Sequence, residues 1–270
     1  MSSWQTVLAW PDTHIPDHDP RAVAGILQLV HEYDPDRIVI LGDFVDMRGP
    51  ARWSRGMAEE YQSDLQMDCN AAVGILESLR AVWDGPCDYI EGNHEARIRA
   101  YLARYAPALR DLQSLQLPEL LEFDRLAITY QGQPLTLAPG WVAIHGDKLA
   151  GYAGGSALRM AREFGESVVQ GHSHRLGLIH ETRGHRERRK TIAAVECGHL
   201  ADIDAASYLT HGSANWQQGF ALLHISDAGT VIPELVHIQS DGSFLVHGQE
   251  YPIPSFDDFD DLERIAVDQP

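Results

Sequence analysis

The sequence predicts an α/β fold, and three observations carry that prediction. Short apolar runs of strand length recur, segments of helical period lie between them, and several of the runs end in a knot of polar residues. With 270 residues the chain is long enough to bury one large core. Hydrophobic residues at 44% and charged residues at 22% exclude wholesale disorder.

In chain order, Thr6-Val7-Leu8-Ala9-Trp10 reads as a strand that ends in Pro11-Asp12-Thr13-His14. Asp19-Pro20 supplies an N-cap and a first-turn proline, opening a helix through about His31. The next strand, Arg37-Ile38-Val39-Ile40-Leu41, ends in Gly42-Asp43-Phe44-Val45-Asp46. Roughly Glu59 to Val82 reads as an amphipathic helix with Leu65, Ala72, Leu76 and Leu79 near one face. Cys87-Asp88-Tyr89-Ile90 leads into Glu91-Gly92-Asn93-His94-Glu95, and a helical region rich in Leu and Arg follows. Trp141 to Ile144 leads into His145-Gly146, and Ser167 to Gln170 leads into Gly171-His172-Ser173-His174. About 176 to 247 reads as successive strands and turns. One domain over residues 1–250 is expected, with the acidic, proline-containing stretch 251–270 as a surface tail.

A formal net charge of −18 opposes long-range attraction to nucleic acid or anionic lipid, so a polyanionic substrate must be captured locally. Cys69, Cys87 and Cys197 have no CxxC spacing and read as reduced thiols in a cytoplasmic type of compartment. No apolar run approaches a membrane span, and the N-terminus has no signal-peptide pattern, so a cytoplasmic protein without a membrane partner is expected.

The informative feature is that five strand ends in succession deliver Asp, Asn or His, where α/β folds place chemistry. Any one of them is an ordinary turn. Turn chemistry explains the Asp, Asn and Gly, but not histidines at the same ends.

The series Asp12-x-His14, Gly42-Asp43-x-x-Asp46, Gly92-Asn93-His94-Glu95, His145-Gly146 and Gly171-His172-x-His174 resembles the signature of calcineurin-like metallophosphoesterases, in the family's order and without a missing element. The resemblance covers about residues 10 to 175. It implies a four-layer α/β/β/α sandwich of two mixed β-sheets flanked by helices, with the site at the sheets' C-terminal edge. Asn215-Trp216-Gln217-Gln218-Gly219-Phe220 resembles a feature of bacteriophage-encoded members.

By resemblance, Asp12, His14 and His174 hold one metal, Asn93, His145 and His172 the other, and Asp43 bridges the two. Oxygen and imidazole donors without thiolate suit two divalent transition ions, Mn²⁺ first, with Fe and Zn²⁺ as further fits. Two divalent cations against two carboxylates leave a net positive centre that attracts a phosphate and activates water. His94 is then the general acid that protonates the leaving oxygen. Asp46 and Glu95 are expected to orient ligand imidazoles through their other ring nitrogen, and either Asp12 or Asp46 to polarise His94.

Members of the family that act on phosphoproteins carry arginines where this chain has Met47 and Glu91, with Arg48 one place late. A negative Glu91 would oppose a dianionic monoester. Phosphodiesters, small or cyclic nucleotides first, are therefore the expected substrates. A nuclease acting on DNA or RNA is the rival, and phosphomonoesterase activity or an inactive metal-stabilised binding module stands behind it. Two basic features bear on that rivalry. Arg183, Arg186, Arg188, Arg189 and Lys190 crowd a hairpin tip, and Arg97, Arg99 and Arg104 follow His94 on a helix. Each reads first as a solvated surface and second as a contact for a nucleotide or strand. Oligomeric state is not legible.

Overall fold

The structure is a computed structural model that describes residues 3–52, 54–58, 63–203 and 214–251. Its strands are β1 (Trp4–Trp10), β2 (Arg37–Ile40), β3 (Cys87–Ile90), β4 (Ile128–Gln131), β5 (Leu135–Ala138), β6 (Trp141–Ile144) and β7 (Ser167–Gln170). They continue with β8 (Leu176–Arg183), β9 (Lys190–Cys197), β10 (Gly219–Ser226), β11 (Val231–His237), β12 (Phe244–Val246) and β13 (Gln249–Tyr251). The longer helices are α1 (Pro20–Tyr33), α2 (Leu65–Val82), α3 (Ala96–Tyr105) and α4 (Gly155–Phe164).

One mixed sheet has the order β11-β10-β1-β2-β3-β4, with β1 to β4 parallel and β10 and β11 antiparallel. The second has the order β5-β6-β7-β9-β8, with β6, β7 and β9 parallel and antiparallel strands at both edges. Period-two alternation along β1 assigns the layers. Leu8 and Trp10 face one way, into a core shared with α1 and α2, whereas Val7 and Ala9 face the other sheet. Val39, Leu41, Ala143, Val169, Val195 and Ala221 complete that inter-sheet core. Val142, Ile144 and Val168 point outward from the second sheet, under Ala157, Met160 and Ala161 of α4. The result is the expected α/β/β/α sandwich.

Local capping sets the helix bounds. Asp19 accepts from the Arg21 amide at 3.0 Å with Pro20 at the first position, and Asp34 closes α1 in a left-handed conformation. The helix therefore runs two residues beyond His31. Asp64 accepts from the Met67 amide at 3.0 Å, so α2 opens at Leu65, later than the Glu59 expected; residues 59–62 lie outside the described residues. The described part of the stretch from 176 to 247 is strand and turn as expected, except for a single 3-10 turn at Arg186–Arg188. The acidic tail from 252 onward also lies outside the described residues. Cys69, Cys87 and Cys197 are buried free thiols, and burial pushes the first two up to about 12. Among the described residues, no helix is long and apolar enough to cross a membrane.

Candidate metal centre

The five polar strand ends meet at one end of the sandwich. β1 presents Asp12 and His14, β2 Asp43, and β3 Asn93 and His94 from one sheet; β6 presents His145, and β7 His172 and His174 from the other. Asp12, His14 and His174 form one group of converging donors, Asp43, His145 and His172 another, and His14, Asp43 and His94 a third between them. Asn93 joins the second group through Oδ1, which lies 3.0 Å from His145 Nε2 and 2.6 Å from His172 Nδ1. All eight residues expected at the site are thus brought together.

Backbone conformation makes this convergence possible. His14, Asp43, His172 and His174 have φ of +57°, +49°, +65° and +57°, a region that non-glycine residues enter at a cost and that clusters at functional sites. Close approach accounts for two glycines. A Cβ on Gly92 would lie 2.2 Å from Asp43 Oδ1, and one on Gly171 2.3 Å from Asp12 Oδ2. The two carboxylates are wholly buried and anchored by amides. Asp12 accepts from the His172 N–H at 2.8 Å, and Asp43 Oδ1 from the His94 N–H at 2.8 Å, leaving Asp43 Oδ2 turned to the centre.

The donor set fits divalent cations. His145 Nδ1 donates to the Leu41 carbonyl at 2.8 Å, which leaves its Nε2 lone pair against Asn93 Oδ1 and, at 3.3 Å, Asp43 Oδ2, two acceptors. His14 Nδ1 donates to Asp46 Oδ1 at 3.2 Å, so its Nε2 lone pair meets His174 Nε2 at 2.9 Å. Lone pairs crowded at such distances repel unless a proton or a cation lies among them. The chain alone answers with protons. Burial pushes the Asp12 carboxyl up to about 7, with Asp43 adding to the rise and His145 opposing it. Burial acts to lower His145, but the Asp43 carboxylate overcomes it and carries the imidazole to about 10. Burial, and then the neighbouring His145, hold His172 down at about 4, and burial with His14 and His199 keeps His174 neutral.

Asp46 binds both His14 and His94 at their Nδ1 atoms, so Asp46 is the polarising partner of His94 and Asp12 is not. Glu95 departs from expectation: it touches no imidazole. Its buried carboxylate instead accepts from the amides of Asp43 (3.0 Å), Phe44 (2.7 Å), Val45 (3.1 Å) and Gly92 (2.9 Å), and from the Tyr89 hydroxyl (2.7 Å). It therefore fixes the loop that carries Asp43. The expected open charge on Glu91 is also corrected, because Arg99 pairs with it at 2.8 Å. Arg48 is held by Asp46 and Asp17.

Arg97 is not a solvated helix residue. Its guanidinium donates to the Asp46 carbonyl at 2.6 Å and reaches His94 Nε2 at 2.8 Å. Position i+3 from His94 was the available signal. His199 and Trp216 were missed as site residues. The Trp216 ring lies 4.4 Å from that of His174, and His199, 5.3 Å from His174, helps to line an adjacent cleft with His14, Asp17, Asp46 and Asp202. Gly198-His199 after β9 repeats the strand-end pattern and was legible. The basic hairpin tip, by contrast, stands at the far end of β8 and β9, where Arg183 pairs with Lys190 while Leu176 and Cys197 pair near the site. Eight residues of strand put that tip about 25 Å from His174.

Fold and site together define the class: a four-layer α/β sandwich whose His, Asp and Asn centre suits divalent cations. The chain belongs to the family of the Gene 54 proteins of Mycobacterium phages D29 and L5. It is 35% identical to the D29 protein and 36% identical to the L5 protein, each over 248 residues that span 90% of this chain and 96% of the relative. No protein-family model matches the chain. Among solved structures, it is similar to Vps29 of Chaetomium thermophilum (TM-score 0.45, 14% identity, 93% of this chain and 100% of that one). It is also similar to YfcE, a phosphoesterase from E. coli (TM-score 0.38, 16% identity, 87% and 100%).

Proposed function

We propose that the chain is a calcineurin-like metallophosphoesterase that uses two divalent transition ions, Mn²⁺ first, to hydrolyse phosphodiesters, with small or cyclic nucleotides as the foremost substrates. The observation that carries this reading is the place of Asp43: its carboxylate is shared between the donor group of His14 and that of His145 and His172. Asp12, His14 and His174 would hold one ion, and Asn93, His145 and His172 the other. When bound, the ions supply Lewis acidity toward a phosphoryl oxygen and lower the pKa of water.

The remaining work falls to the chain's own side chains. Asp46 holds His94 by Nδ1, which turns Nε2 toward the gap beside Asp43, at 3.7 Å from Oδ2. From there the imidazolium hands its proton to the departing alkoxide. The Arg97 guanidinium lies 2.8 Å from that nitrogen and can only donate. It must turn to the phosphate oxygens when the ring carries its proton there, and it adds a positive charge for the phosphate. Charge supply favours a diester monoanion over a monoester dianion, since Arg48 and Arg99 are already neutralised by acidic partners. Glu91, now paired, no longer bears on that choice.

A metal-reconstituted screen tests this reading with an aryl diester, an aryl monoester, cyclic nucleotides and single-stranded DNA or RNA. Diester hydrolysis that exceeds monoester hydrolysis is expected. Silence on every ester with Mn²⁺, Fe and Zn²⁺ would instead make the chain a metal-stabilised binding module, and cleavage confined to nucleic acid would make it a nuclease.

A further inference from the structure

We infer that His224, Glu234 and His247 form a separate site for a divalent transition ion, Zn²⁺ first, which pins the β12–β13 hairpin to the sheet. These side chains play no part in the centre described above. His224 lies on β10 opposite Thr6, at the start of β1, whereas Asp12 follows the end of β1. Six residues of strand separate the two places by about 20 Å.

Both Nε2 atoms converge on one carboxylate oxygen. Glu234 Oε2 lies 3.1 Å from His224 Nε2 and 2.9 Å from His247 Nε2, and the donor atoms of all three residues lie within 4.8 Å of one another. A tetrahedral ion with bonds of about 2.0–2.1 Å keeps its ligand atoms about 3.3 Å apart, so small side-chain shifts open the cluster around one. Two imidazoles and a carboxylate without thiolate suit Zn²⁺ better than Mg²⁺ or Ca²⁺. The other ring nitrogen of His224 has a partner as well. Thr6 Oγ1 stands 3.3 Å from Nδ1, in the position that orients a metal-bound histidine.

Backbone geometry aims His247 at this point. His247 and Gly248 form the two-residue turn between β12 and β13, where Val246 pairs with Gln249, and their φ values are +50° and +82°. Such a turn ordinarily takes Asn-Gly. Here the first place is filled by a histidine whose ring lies 5.4 Å from that of His224 and 5.6 Å from that of Tyr33. The hairpin so fixed seats Phe244, Val246 and Tyr251 in the core against α1.

Equilibrium dialysis of the full chain against Zn²⁺, followed by metal analysis, tests the site. His247→Asn keeps the turn conformation and should bind one equivalent fewer than wild type. Glu234→Gln should lose the same equivalent. Saturating Zn²⁺ should also slow amide exchange at Leu245, Val246 and Gln249 in wild type and leave it unaltered in His247→Asn. Equal zinc content in wild type and both variants, with identical exchange, would overturn the inference and leave the imidazoles as hydrogen-bond donors to Glu234.

Discussion

The carbonyl oxygen of Leu41 fixes the His145 ring through Nδ1 at 2.8 Å, and this bond decides which nitrogen faces Asp43. The centre therefore carries protons where cations belong. Asp12 titrates up at about 7 and His145 at about 10. Burial acts to lower His14, but the bond to Asp46 raises it above its ordinary value. At pH 6 all three therefore hold a proton that a metal must displace. Metal affinity should rise with pH through this range, and binding at pH 6 should release about three protons. Calorimetry in buffers of different ionisation enthalpy measures the number. Metal uptake without proton release would mean that these three groups are not ligands.

Removal of metal by a chelator should abolish hydrolysis, and Mn²⁺ should restore it at least as well as Mg²⁺, which prefers oxygen-rich octahedral shells. Asp43→Asn should be among the most damaging single changes, because both donor groups lose their shared carboxylate. Metal content and turnover are measured together. Two tightly bound ions with full turnover in that variant would end the bridging assignment.

Glu95 should prove more damaging to fold than its lack of reactive contacts suggests. Glu95→Ala leaves four buried amides and the Tyr89 hydroxyl without their acceptor, a loss of about 3–5 kcal/mol. Denaturant unfolding reads that loss, and metal content should fall with it as the Asp43 loop loosens. An unchanged midpoint would show that the loop has other support.

His94→Ala should discriminate by leaving group. An aryl oxide departs as an anion, whereas a ribose alkoxide needs a proton, so the loss should be modest on an aryl diester and about 10²–10⁴-fold on a nucleoside diester. Asp46→Asn should lower both, by about 10–100-fold, since Asp46 supports His14 as well as His94. Equal losses on both substrates in His94→Ala would reassign His94 to phosphate positioning.

Reversal of Arg186, Arg188 and Arg189 to Glu should leave hydrolysis of a small diester intact, because the tip stands far along β8 and β9 from His174. Cleavage of an oligonucleotide, measured against salt, checks whether the tip engages a strand. A weakened and salt-insensitive cleavage in the variant would give the tip that role.

The sequence by itself determined the fold class and the residue types that the centre gathers. Strand alternation, capping by Asp19, and Gly before Asn93 and His172 are local rules, and local rules can be read from a chain. The glycines are the clearest case, because any Cβ there would collide with the carboxylates of Asp43 and Asp12. Tertiary structure alone decided how each side chain is supported. Glu95 and Asp46 are carboxylates at equivalent strand ends, yet one binds backbone amides and the other imidazoles. Arg97 and Arg99 sit two positions apart on one helix, yet one reaches His94 and the other Glu91. Gly42-Asp43 and Gly92-Asn93 approach because β2 and β3 are neighbours in one sheet, and His145 and His172 meet them because a second sheet packs across Val39 and Leu41. Partners of this kind depend on which strand ends come within hydrogen-bond reach once two sheets pack, and sequence spacing carries no record of that distance.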